Sequence, residues 1–141
     1  MRYWDASAIV PLIALQEITD SIRSEANVDP SIVTWWGTRV ECASAVSRRE
    51  REGVLDEHEA HAALDQLAIL AADWAEIAPS ARLRQAAERL LRVHPLRAGD
   101  ALQLAAAIIA ADGDPPSIPF VTLDDRLASA ARREGFPVLP A

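Results

Sequence analysis

Four acidic residues stand among neighbours that would ordinarily exclude a charge. Asp5 follows the short apolar run Arg2-Tyr3-Trp4 and precedes Ala8 to Leu15, a mostly apolar stretch of helical period. Glu41 lies inside Val40-Glu41-Cys42-Ala43-Ser44-Ala45, a helical run otherwise made of small and apolar residues. Asp100 opens the most apolar helical stretch of the chain, and Asp124 ends the run Phe120-Val121-Thr122-Leu123. Other acids, among them Glu57, Glu59, Asp65, Glu88 and Glu134, fall on polar helical faces. Taken singly, Asp100 and Asp124 also suit helix N-caps, and Asp5 suits a loop. Glu41 fits a surface position less well. The chemistry open to the four together is that of a carboxylate cluster. Two carboxylates ~4 Å apart repel by roughly 4 kcal/mol at an effective dielectric of 20, and a divalent ion reverses that sign. Hard oxygen donors select Mg²⁺ or Mn²⁺ over softer metals. Such an ion lowers the pKa of a bound water and neutralises charge on a phosphodiester under attack, so the set points to phosphate chemistry.

The remaining composition narrows the field. All 14 basic residues are Arg, and there is no Lys in the 141-residue chain. That excludes a Walker-type phosphate loop, a protein kinase and a Schiff-base enzyme. Cys42 is the single cysteine, so cysteine-based zinc or redox motifs and an internal disulfide are excluded. His58 and His61 are three apart, but Glu57 and Glu59 beside them make a solvated charged face rather than a metal site. With 21 acids the formal net charge is −7, which argues against coating nucleic acid through bulk charge alone. The amino-terminal residues carry Asp5 and Pro11 and do not read as a signal peptide, and no stretch approaches ~20 apolar residues. A cytoplasmic protein is expected.

Short apolar runs alternate with longer helical ones. Strands are expected at Arg2–Trp4, Ile32–Trp35, Trp74–Ile77, Ile118–Leu123 and Pro137–Leu139. Ser7 fits the cap of the first helix, and Thr19-Asp20 that of a second reaching about Asn27. Further helices are expected from Gly37 to Glu52, from Asp56 with Leu64, Leu67, Ala68 and Ala71 on one face, and from Pro79 to about Val93. Two more follow, from Asp100 to Ala111 and from Asp125 to Glu134. Gly53 and Gly135 stop two of these. Strands without clean alternation, separated by helices, indicate an α/β three-layer sandwich around a parallel sheet, in one domain spanning residues 1–141. In such a sheet ligands bind outside the strand carboxyl ends, where strand order reverses. Asp5 and Asp124 both sit at strand carboxyl ends; on neighbouring strands ~4.8 Å apart, they could share one ion.

The segments Asp5-Ala6-Ser7-Ala8, Val40-Glu41, Arg97-Ala98-Gly99-Asp100-Ala101-Leu102-Gln103 and Thr122-Leu123-Asp124-Asp125-Arg126-Leu127, in this order, resemble PIN-domain ribonucleases. Closest are the VapC toxins of toxin–antitoxin pairs, with a resemblance running from residue 2 to about 139. It implies a sheet of about five strands in the order 3-2-1-4-5 and Mg²⁺- or Mn²⁺-dependent endonuclease action on RNA. It also implies Asp5, Glu41, Asp100 and Asp124 as the metal-binding and catalytic set, Ser7 and Thr122 as supporting hydroxyls, a cognate antitoxin and a homodimer. The Thr-x-Asp pattern selects Asp124, leaving Asp125 as a cap or solvent acid. Arg97 and Arg126 flank the acids and are candidates for phosphate contact or for structural ion pairs. Trp35, Trp36 and Trp74 are interface or core residues, with core expected for at least two. Two rivals differ in class. A receiver or haloacid-dehalogenase-type phosphatase would want a Lys, and the phosphatase a second acid where Ser7 stands; a PIN-like module with idle acids would serve protein contacts.

Overall fold

The computed structural model describes residues 1–14 and 19–141. Five strands, β1 (Arg2–Trp4), β2 (Ile32–Trp35), β3 (Ala75–Ile77), β4 (Phe120–Val121) and β5 (Val138–Leu139), pair in parallel in the order β3-β2-β1-β4-β5. The three-layer sandwich and its 3-2-1-4-5 order are therefore as expected. Strand order reverses between β1 and β4, where Tyr3 pairs with Phe120 and Trp4 with Val121. Helices α1 (Ala6–Ala14), α2 (Thr19–Val28), α3 (Thr38–Arg51) and α4 (Glu57–Asp73) lie on one side of the sheet, and α5 (Ala81–Val93), α6 (Ala98–Ala111) and α7 (Asp125–Arg133) on the other. The period of two along each strand separates two cores. Tyr3, Val33, Trp35 and Phe120 pack with α5, α6 and α7, while Trp4, Ile32 and Val121 pack with α1, α3 and α4. Small residues let α6 sit close to the sheet: Ala101, Ala105, Ala106 and Ala107 are all buried.

Several boundaries differ from expectation, some of them for a local hydrogen-bonding reason. Ser7 lies inside α1 and does not cap it; Asp5 does, accepting from the Ala8 N–H at 3.3 Å. The expected end of this helix at Leu15 lies outside the described residues. Helix α5 opens at Ala81 rather than at Pro79, capped by Ser80, whose hydroxyl accepts from Leu83 N–H at 3.0 Å. The α6 helix starts at Ala98, so Asp100 is in its first turn rather than at its cap. Strand β4 is shorter than Ile118–Leu123, because the donors that would extend it turn to side chains. Leu123 N–H goes to Ser7 Oγ at 2.9 Å, and Asp124 N–H to Thr122 Oγ1 at 3.1 Å. On α4 the buried face is Ala60, Ala63 and Leu67, with Leu64 and Ala68 exposed. Glu134 is not a solvated acid but binds Arg89 and His94, each at 2.8 Å. Trp35 and Trp74 are core residues, and Trp36 is exposed.

Candidate active site

The topology carries four distant acids to one place. Asp5 emerges at the carboxyl end of β1, and Asp124 three residues beyond β4 on the neighbouring strand. Glu41 comes from the first turn of α3 and Asp100 from the first turn of α6. All four line one depression of about 630 Å³, together with Ser7, Val40, Leu123, Arg48 and Arg49. The two arginines were not among the sequence candidates, since a charged helix end reads as solvated. Among the described residues, no three His, Cys, Asp or Glu side chains converge closely enough to form a ready-made ion cage.

Asp5 is the most deeply placed of the four, 4 % exposed. Ser7 Oγ donates to its carboxyl at 2.8 Å, Ala8 N–H at 3.3 Å, and Thr122 adds a side-chain hydrogen bond. Burial outweighs these donors and pushes Asp5 up to about 7, with the nearby Asp124 charge acting in the same direction. Ser7 also accepts from Leu123 N–H and lies 3.2 Å from Thr122 Oγ1, so the two expected hydroxyls tie the β1 and β4 ends together around Asp5. Asp124 accepts from Leu127 N–H at 2.9 Å through Oδ1, so it caps α7 and also lines the depression. The two readings of that residue are compatible. Asp125 is exposed in the first turn of α7. Burial, then the Asp124 charge, raises Asp100, while the Arg97 backbone N–H and the Arg97 and Arg126 charges pull it down. Both arginines thus sit within electrostatic reach of the acids, and neither forms a salt bridge among the described residues.

Glu41 is held by a chain of buried polar groups that sequence reading passed over. Tyr3 O–H donates to Gln103 Oε1 at 2.6 Å; Gln103 Nε2 donates to Thr38 Oγ1 at 2.9 Å and to Glu41 Oε1 at 3.2 Å. Thr34 Oγ1 lies 2.8 Å from Thr38 Oγ1 and 2.6 Å from the Trp4 carbonyl. A carbonyl can only accept, so the single Thr34 proton goes to Trp4 and Thr38 gives its own to Thr34. Every member of the chain is then satisfied. The signal in the sequence is Gln103 itself, a polar residue inside the Ala- and Leu-rich α6 run. Burial pushes Glu41 up to about 6; the Gln103 hydrogen bond opposes this and the Asp100 charge adds to it.

The donor set fits a hard divalent cation: its oxygens are all carboxyl, and burial biases Asp5 and Glu41 toward the neutral acid without one. The parallel five-stranded sheet in the order β3-β2-β1-β4-β5, with helices on both faces, is a PIN-like α/β fold. Over 99 % of its length the chain is similar in structure to PAE2754 from Pyrobaculum aerophilum, known from a crystal structure. The TM-score is 0.64, the alignment covers 84 % of that chain, and 20 % of residues are identical, so the likeness is one of fold. No protein-family model and no curated protein sequence matches the chain. Among the described residues, no helix is long and apolar enough to cross a membrane.

Proposed function

We propose that the protein is a Mg²⁺- or Mn²⁺-dependent endoribonuclease, the toxin of a type II toxin–antitoxin pair acting in the cytoplasm. The observation that carries this reading is the gathering of Asp5, Glu41, Asp100 and Asp124 in one depression at the sheet's switch point. Asp5 and Asp100 would be the principal ligands of the ion, with Glu41 and Asp124 completing the site. When bound, the ion activates water and offsets the charge of the phosphodiester it attacks. Ser7 and Thr122 hold Asp5 in position through their hydroxyls. Gln103 occupies Glu41 Oε1, leaving Oε2 as the atom to take a proton from the attacking water. Arg97 and Arg126 would orient the phosphate through guanidinium forks. A cognate antitoxin would supply basic residues to the acidic depression. Self-association into a homodimer is proposed through Trp36, which is exposed by 58 %.

A second reading is a PIN-like protein-binding module whose acids are idle. One experiment separates the two. Purified protein is incubated with structured RNA in Mg²⁺ or Mn²⁺, with and without chelator, beside Asp5→Asn and Asp100→Asn. Cleavage that stops with chelator and with either substitution is expected. Cleavage surviving either substitution would refute the assigned site. Failure to cut any RNA, together with no growth arrest on expression, would leave the binding module.

A further inference from the structure

Two smaller depressions follow the acidic one in succession toward α7. The first, of about 600 Å³, shares Asp100, Leu123 and Asp124 with it and adds Arg97 and Arg126. The second, of about 250 Å³, shares Asp125 and Arg126 with the first and adds Ser129, Arg133 and a wall that includes His94. Arg126, Ser129 and Arg133 are spaced i, i+3, i+7 and therefore make one stripe along α7, about 10 Å long at 1.5 Å per residue. Leu127 and Ala131 of the same helix face the core.

The charges around this stripe are sorted. Glu134, the acid next to Arg133 in sequence, is already bound to Arg89 and His94. Arg126 and Arg133 make no salt bridge among the described residues. Asp125 also lines the outer depression, against two guanidinium groups and a hydroxyl. A chain of net charge −7 with acids at the reacting position repels a polyanion, and guanidinium groups beside the acids offset that repulsion. Guanidinium forks bind phosphate oxygens in pairs, and such contacts set the path of a strand without reading its bases.

We infer that the Arg126–Ser129–Arg133 stripe is a second phosphate subsite, holding the backbone of single-stranded RNA beyond the bond placed at the acids. A track one helix face wide suits one strand. The inference rests on the proposed nuclease function for the identity of the polyanion.

The test uses the full chain carrying Asp5→Asn, with Mg²⁺ present, and fluorescently labelled single-stranded RNA of about 4 and about 12 nucleotides. Anisotropy is followed across a range of salt concentrations. Arg133→Gln is expected to weaken the longer strand roughly 3- to 10-fold and reduce its log–log salt slope by about 0.7. The shorter strand should bind unchanged. Arg133→Lys, which keeps the charge, should restore the slope. Arg23→Gln, on α2 across the sheet, should alter neither. If Arg133→Gln behaves like Arg23→Gln, the subsite is overturned whatever Arg126→Gln does, and cleavage by the parent chain would still support the nuclease function. The expected slopes from a parent chain that cuts no RNA would keep the phosphate subsite and remove the nuclease.

Discussion

Asp5 is caught between burial, which favours its neutral form, and three hydrogen-bond donors that favour the charged one. Burial prevails, up to about 7 at Asp5 and about 6 at Glu41. Between the ordinary carboxylate range and those values, the folded protein keeps protons that the unfolded chain has released. Stability of the metal-free protein therefore falls as pH rises through this window and levels off above it. The melting temperature should drop by several degrees between about pH 5 and about pH 8, and Asp5→Asn should lose most of that drop. A rise over the same interval would mean that these acids are solvated. Because ion and proton compete for the same oxygens, a fixed Mn²⁺ concentration should raise the melting temperature more at the higher pH. Thermal scans at two pH values with and without Mn²⁺ measure both effects. From sequence, Asp5, Glu41, Asp100 and Asp124 stood out by their surroundings; their unequal burial did not, since it depends on what packs over each.

At the scale of elements, the buried polar chain joins β1, β2, α3 and α6 through Tyr3, Thr34, Thr38 and Gln103. Tyr3→Phe leaves Gln103 Oε1 without its donor and should cost about 1–3 kcal/mol in urea denaturation. Gln103→Leu should cost a similar amount and also release Glu41, lowering the cleavage rate further than Tyr3→Phe does. Equal activity in the two variants would show that Glu41 needs no such support. A remote cap offers the contrast. Asp56 and Glu59 form a capping box at the start of α4, at 2.7 and 3.0 Å. Asp56→Ala should cost about 1 kcal/mol and leave cleavage unchanged below the melting temperature. Most elements were legible because caps and hydrophobic period act over a few residues; the end of β4 was not, because there a side chain takes a donor meant for the backbone, as Ser7 does from Leu123. Gln103 was not legible as a positioning group, because its three partners are 62 to 100 residues away.

For the molecule as a whole, the net charge of −7 misleads when treated as one quantity, since four acids share one depression while Arg97 and Arg126 stand at its border. If Trp36 serves self-association, light scattering should give about twice 15.3 kDa for the parent chain and the single mass for Trp36→Asp. An unchanged mass would dismiss that face. The sequence by itself determined the alternation of strands and helices, the exclusion of lysine and cysteine chemistry, and the identity of the misplaced acids. These are properties of composition and short-range pattern, and neighbours within a turn or two suffice to set them. Tertiary structure decided that β4 returns to lie beside β1, so that residues 5 and 124 meet, and that Ala-rich α6 packs close enough for Gln103 to reach Glu41. It also decided which arginines border the acids. Proximity of that kind follows from how helices pack across the sheet, and no local stretch of chain contains it.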